Sequence, residues 1–214
     1  MAIHFDESAC RERLQQGSET LGLALADEQA EKLLQFLSLL AKWNRAYNLT
    51  AVRDPLEMVS RHLLDSLAVE PHLEGRRCLD MGTGPGLPGI PLAVIRPEIE
   101  FVLLDSNNKK IRFVRQAILE LGLKNVEAVH TRVEDYQPEK GFDMLISRAF
   151  TSLPNMLDLT AGLRRIDTVL LAMKATVPQD ELQTLEAENN CRIIPLQVPY
   201  TEGQRCLIRF SQAG

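Results

Sequence analysis

Twelve residues, Cys78-Leu79-Asp80-Met81-Gly82-Thr83-Gly84-Pro85-Gly86-Leu87-Pro88-Gly89, constrain this chain more than any other segment. An apolar run ends on a carboxylate and passes into glycines at alternate positions, and a helix-compatible stretch follows. Glycine lets the backbone turn tightly and lets a ligand approach where a Cβ would collide. A strand, a glycine turn and a helix in that order belong to an open α/β sheet with a ligand at the strand end.

The surrounding pattern agrees. From residue 76 onward, Arg76–Met81, Glu100–Leu104, Val126–His130, Phe142–Ser147 and Thr168–Met173 read as strands, separated by helical segments near 88–94, 107–122 and 152–164. Such alternation specifies parallel strands joined by right-handed crossovers. Arg192–Val198 and Arg205–Phe210, separated by a short polar linker, complete a seven-stranded sheet with an antiparallel hairpin. Residues 6–74 are helical by periodicity, with Leu33, Leu37, Leu40 and Trp43 on one face after an Asp27 cap. A second helix start lies at Asp54-Pro55. The expected division is a helical extension, 1–75, and a ligand-binding domain, 76–214.

Two ligand readings of the loop compete. Gly84-x-Gly86-x-x-Gly89 fits a dinucleotide pattern, and Asp80-x-Gly82-x-Gly84-x-Gly86 fits the loop of S-adenosylmethionine enzymes. A pyrophosphate needs converging N–H donors, and Pro85 and Pro88 each remove one. S-adenosylmethionine carries no phosphate, and Asp80 suits its cationic amino-acid end. The methyl-donor reading leads, with a dinucleotide or an unliganded tight turn as alternatives. Asp105 ends the second strand 19 residues after Gly86, where a carboxylate accepts ribose hydroxyl hydrogens. Asp105-Ser106 is also a possible cap for the following helix. Arg132-Val133-Glu134-Asp135, after the third strand, could read adenine.

Absences narrow the acceptor. No Pro-Cys pair supplies the nucleophile of carbon methylation, and Ser147-Arg148-Ala149-Phe150 replaces the Asn/Asp-Pro-Pro-aromatic turn of exocyclic amino methylation. A guanine N7 already exposes a lone pair and needs only positioning.

Taken together, Trp43-Asn44-x-x-Tyr47-Asn48-Leu49-Thr50, Arg61-His62-Leu63-Leu64-Asp65-Ser66, Asp80 through Pro91, Leu104-Asp105-Ser106, Arg132-Val133-Glu134 and Ser147-Arg148-Ala149-Phe150 resemble the bacterial small-subunit ribosomal RNA guanine-N7 methyltransferase G family, also known as glucose-inhibited division protein B. The likeness runs from about Trp43 to the C-terminus. It implies a class I, Rossmann-like methyltransferase fold behind an N-terminal helical extension. It also implies methyl transfer from S-adenosylmethionine to a guanine N7 in 16S rRNA, free or in a partly assembled small subunit. By matching positions, Gly82, Gly84, Gly86 and Leu87 contact the cofactor, Asp105 the ribose, Val133 and Glu134 the adenine, and Arg148 the methionine end or the acceptor. The family carries Gly after the lysine of the fifth strand, whereas Lys174 here precedes Ala175.

Arg148, Asn48, His62 and Lys174 are candidates for positioning the acceptor. Arg61 and Asp65, at i and i+4, are expected to pair on one helix face beside a surface His62. Lys109, Lys110, Arg112, Arg115, Arg164 and Arg165 are candidate RNA contacts, although a charged outer helix face is an ordinary alternative. Trp43 reads as core, leaving Phe150 as the aromatic available to a base. No metal site is expected, and the four scattered cysteines read as reduced and mostly buried. The net charge of −5 excludes bulk electrostatic attraction to nucleic acid. Residues 1–75 hold 7 basic and 12 acidic groups, while 76–150 hold 11 and 10, so contact with RNA is expected to be local and salt-sensitive. With no membrane span or signal pattern, a cytoplasmic monomer is expected. A small-molecule methyltransferase and a non-catalytic nucleotide-binding partner of ribosome assembly are the alternative functions.

Overall fold

The computed structural model describes residues 5–148, 151–176 and 190–211. Seven strands form one sheet in the order β3-β2-β1-β4-β5-β7-β6. These are β1 (Arg77–Met81), β2 (Glu100–Asp105), β3 (Val126–His130), β4 (Met144–Arg148), β5 (Val169–Lys174), β6 (Asn190–Leu196) and β7 (Arg205–Ser211). β1 to β5 run parallel, and β7 enters antiparallel between β5 and β6. The expected doubly wound sheet and C-terminal hairpin are both present, with strand ends shifted by at most two residues.

The central strands are buried on both faces and alternate between two cores. Cys78, Phe101, Leu103, Ile146 and Leu171 point to one core, whereas Leu79, Val102, Leu104, Leu145 and Leu170 point to the other. The first core is covered by α1 (Glu7–Thr20), α2 (Asp27–Tyr47), α5 (Gly89–Ile95) and α6 (Asn108–Leu121). The second lies under α7 (Leu153–Thr160). α5 and α7 thus leave β1 and β4 toward opposite faces, which opens a crevice at the carboxyl ends of those neighbouring strands.

α2 is held by its apolar stripe: Leu33, Phe36, Leu37 and Leu40 are fully buried. The Phe36 and Trp43 rings lie 6.1 and 5.7 Å from the Phe113 ring of α6. Its cap differs from the expectation. Ala26 is the capping position, and the Gln29 side chain accepts from the Ala26 amide at 3.0 Å, while Asp27 is the first helical residue. Asp54 does cap α3 (Pro55–Met58), accepting from the Glu57 amide at 3.0 Å.

Between α3 and α4 (Asp65–Leu67), Val59–Leu64 winds as a π-helix. This overturns the expected Arg61–Asp65 pair, because the wider turn breaks the i,i+4 alignment on which it depends. Asp65 turns inward, Arg61 stays exposed, and His62, expected at the surface, is buried. Cys10, Cys78 and Cys206 are buried free thiols and Cys191 is half-buried. No described helix is long and apolar enough to cross a membrane.

Candidate functional site

The glycine loop closes on itself at the end of β1. Asp80 is fully buried, and its Oδ2 accepts from Thr83 Oγ1 at 2.6 Å and from the Gly89 amide at 2.9 Å, tying both ends of the loop together. Gly82, Gly84 and Gly86 all adopt positive φ. A Cβ on Gly89 would lie 2.7 Å from Asp80 Oδ2, so only glycine fits there. Burial pushes the Asp80 carboxyl up to about 6, against the hydrogen bonds from Thr83 and Gly89 that favour its charged form.

Every loop amide from 83 to 89 is accounted for. Thr83 N–H donates to Leu104 O, Gly84 N–H to Asp105 Oδ2, and Gly86 and Leu87 N–H to Thr83 O. Gly89 N–H goes to Asp80, and Pro85 and Pro88 have none. No donor from this stretch is left to converge on a diphosphate, so the dinucleotide reading fails on geometry. Asp80 Oδ1 is buried and without a partner among the described residues. This orphaned acceptor is consistent with a cationic amino-acid end nearby.

Asp105 closes β2 and faces a cavity of about 420 Å³, whose lining includes Gly82, Asp105, Lys110, Arg132, Val133 and Glu134. Its Oδ2 lies 3.7 Å from Lys110 Nζ, and its Oδ1 accepts from the Asn107 amide at 2.8 Å. Each carboxylate oxygen has a further lone pair for a ribose hydroxyl. The helix cap is Asn107, accepting from Lys109 N–H, so the alternative role of Asp105-Ser106 as that cap is not realised. Val133 is buried in the turn after β3 and Glu134 is exposed beside it. Asp80, Gly84, Gly86 and Leu87 stand behind the cavity and shape it, and the Leu87 side chain belongs to the core.

A second cavity, of about 410 Å³, adjoins the carboxyl ends of β4 and β5, and Arg61, His62, Asp65, Arg148, Lys174 and Arg205 contribute to its lining. Arg148 Nη1 donates to Arg61 O at 3.0 Å and to Asp65 Oδ2 at 3.2 Å. Arg205 Nε pairs with Asp65 Oδ1 at 3.4 Å. Lys174 Nζ donates to Thr151 O at 2.7 Å, and Thr151 lines the first cavity. Lys174 therefore joins the walls of the two cavities. Ala175, after Lys174, needs no left-handed backbone.

His62 Nε2 lies 2.9 Å from Thr50 Oγ1, and Asn44 holds the Thr50–Val52 backbone from α2. Val52, Arg61, His62 and Asp65 thereby supply one wall of the second cavity. Burial, reinforced by the Arg148 charge, lowers the His62 pKa to about 4 and leaves the ring neutral. Cys206 also lines this cavity, but burial raises its thiol pKa, so it is no activated nucleophile. A third cavity of about 560 Å³ along the β6–β7 hairpin is mainly apolar, with Arg205 as the one charged residue among its described lining, and does not fit a charged donor.

The remaining candidates separate. Asn48 ends α2 in the left-handed conformation, and its Oδ1 accepts from Arg53. Lys110 reaches the first cavity, Lys109 and Arg112 are exposed on α6, and Arg115 donates to Ala128 O. Arg164 and Arg165 precede β5 at the opposite end of the sheet. Arg165 pairs with Asp143 and Asp167, and half-buried Arg164 donates to Leu157 O. The expected rim therefore excludes both, since a six-residue strand separates them from Lys174 by roughly 20 Å. Ala149 and Phe150 lie outside the described residues. The sequence reading missed Arg205, which the β5–β7 pairing brings beside Asp65 and which no local motif marks.

A family profile described as rRNA small subunit methyltransferase G (GidB) matches residues 29–208. The chain is 50% identical over 202 residues to the ribosomal RNA small subunit methyltransferase G of Psychromonas ingrahamii, covering 94% of this chain and 98% of that protein. It is 55% identical over 200 residues to the protein of the same name from Ectopseudomonas mendocina, covering 92% and 94%. Among solved structures, the O-methyltransferase TomG from Streptomyces achromogenes, in complex with SAM, aligns with a TM-score of 0.62 at 17% identity, covering 99% of this chain and 100% of that one. A SAM-dependent methyltransferase from Aquifex aeolicus aligns with a TM-score of 0.53 at 20% identity, covering 69% and 89%. At these identities the structural likeness establishes the fold.

Proposed function

Because the chain belongs to the small-subunit ribosomal RNA methyltransferase G family, we propose that it transfers a methyl group from S-adenosylmethionine to the N7 of a guanine in 16S rRNA. The observation that carries this reading is the pairing of two cavities joined by the hydrogen bond from Lys174 to the Thr151 carbonyl. One is lined by Gly82, Asp105 and Val133 and the other by cationic side chains.

S-adenosylmethionine supplies an electrophilic methyl carbon on a sulfonium. Asp105 would take the ribose, Val133 and Glu134 would flank the adenine, and Gly82 would meet the methionine end, with Arg148 left to the acceptor side. Asp80 holds the loop in shape from behind the cavity, and its buried carboxylate favours a cationic amino group on the donor.

The second cavity receives the acceptor. An N7 lone pair needs no base to remove a proton and no covalent intermediate, so the residues there have to orient and neutralise. Neutral His62 and protonated Cys206 suit such a site, since neither competes as a nucleophile. The cations suit an RNA acceptor. Residues 1–75 serve as an extension that walls the acceptor side, and 76–214 bind the donor. The protein acts as a monomer in the cytoplasm, on free 16S rRNA or on a partly assembled small subunit.

Incubating the protein with labelled S-adenosylmethionine and undermethylated small subunits or 16S rRNA, then mapping N7-methylguanosine by strand scission, tests the reading. A single scission site that depends on the protein supports it. Donor binding without transfer to either substrate refutes it.

A further inference from the structure

We propose that Asp65 is a positioning residue that builds a phosphodiester-binding subsite in the second cavity by holding Arg148 and Arg205 side by side. The inference rests on the RNA-methylation reading and specifies where the acceptor's backbone is gripped.

Asp65 is 6% exposed, and each of its carboxylate oxygens serves a different arginine: Oδ2 meets Arg148 at 3.2 Å and Oδ1 meets Arg205 at 3.4 Å. The arginines come from the carboxyl end of β4 and the start of β7, so no single element sets their separation. The carboxylate does. Arg148 is fixed a second time by the Arg61 carbonyl, which the π-helical turn presents at 3.0 Å.

The charge is unbalanced. Among the described residues, Arg61, Arg148, Lys174 and Arg205 line the cavity with one carboxylate, Asp65, and His62 is neutral. Neutralising one buried acid requires one guanidinium. The surplus cations repel one another across an open space, a cost relieved when an anion enters.

The donors left over match a tetrahedral oxyanion. Arg148 uses only Nη1 among the described residues, leaving Nε and Nη2. Arg205 uses Nε for Asp65 and Nη1 for Gln204 O, leaving Nη2. Planar guanidinium forks suit phosphate oxygens, and an RNA acceptor carries a phosphate on each side of the target base.

The sign of one measurement separates positioning from simple charge. Asp65→Asn makes the cavity more positive, so if charge alone governed, RNA would bind more tightly. Held arginines predict the reverse: KM for RNA rises about tenfold, with kcat within about threefold of wild type and S-adenosylmethionine affinity within twofold. Arg205→Lys keeps the charge and loses the fork, and it should raise KM about fivefold. It serves as the second test should Asp65→Asn melt at assay temperature. For single-stranded RNA, the slope of log(kcat/KM) against log salt should become shallower by about 0.7 in Asp65→Asn, the change expected when one fewer phosphate is gripped. A KM that is unchanged or lower in both variants overturns the proposal. Wild-type protein that methylates no RNA instead overturns the functional reading beneath it.

Discussion

Asp105 Oδ2 accepts the Gly84 amide hydrogen at 2.9 Å, so the carboxylate that faces the first cavity also fixes the glycine loop on the neighbouring strand. One residue thus couples the second structural motif to the first. The same carboxylate accepts from Asn107 N–H and thereby places the start of α6 and Lys110.

Replacing Asp105 by Ala should weaken S-adenosylmethionine binding by about 10- to 100-fold, because hydrogen bonds to a charged group contribute about 1.5–3 kcal/mol. Asp105→Asn keeps an acceptor for Gly84 and should recover part of the loss. Titration calorimetry on the three proteins measures this, and wild-type affinity in the Ala variant contradicts it.

Gly89→Ala should destabilise the fold by about 1–3 kcal/mol, as overpacking of a closed site does. The added Cβ would meet Asp80 Oδ2 at 2.7 Å and Leu103 Cγ at 2.8 Å, both in the buried interior. For a chain of this size that corresponds to a melting temperature lower by roughly 2–12 °C, readable by calorimetry.

Stability against pH carries two opposed contributions. Asp80 has a folded pKa raised to about 6 from 3.8, so the native state holds its proton longer and stability falls as pH rises through that window. His62 is lowered from 6.5 to about 4, so the unfolded state takes up a proton first and stability falls as pH drops through that window. Between about pH 4 and 6 the two slopes cancel in part. Asp80→Asn should expose the His62 slope, with stability rising with pH, and His62→Gln should expose the reverse. Urea midpoints at pH 4.5, 5.5 and 6.5 give the signs, and variants that slope alike would contradict this assignment.

Phe36→Ala should cost about 3–5 kcal/mol, the range for a buried aromatic. Phe36 is fully buried against Phe113, so the loss should lower one common transition for helices and sheet. Separate melting of the N-terminal helices would argue against a shared core.

Much of the architecture was legible in the sequence because it is encoded by period. The central strands are continuous apolar runs, as strands buried on both faces must be, and their alternation with helices specified a parallel sheet with right-handed crossovers, though not the order of its strands. The donor half of the site was legible for a related reason. Asp80, the glycines and Asp105 act within a few residues of a strand end, where spacing along the chain translates into position in space.

The acceptor half was not. Arg61 and Asp65 stand at a spacing that normally pairs, and nothing in the residues announces a π-helical turn there. That single extra residue per turn sent Asp65 inward and buried His62. Arg205 depends on the antiparallel entry of β7 beside β5, a tertiary fact with no local trace. Arg164 and Arg165 failed in the opposite sense: they follow α7 in sequence, yet they open β5 at the far end of the sheet.

The side chains of α1 and α2 interlock with those of α5, α6 and the sheet in one uninterrupted core. The wall bearing Thr50, His62 and Arg61 is therefore not hinged. A close-packed interior shifts between discrete arrangements or not at all, so the two cavities keep a fixed separation. The adjustment needed to bring acceptor and donor together then falls to the RNA and not to these walls. The described walls of the two cavities then act as a fixed gauge, against which the acceptor has to be brought to the donor.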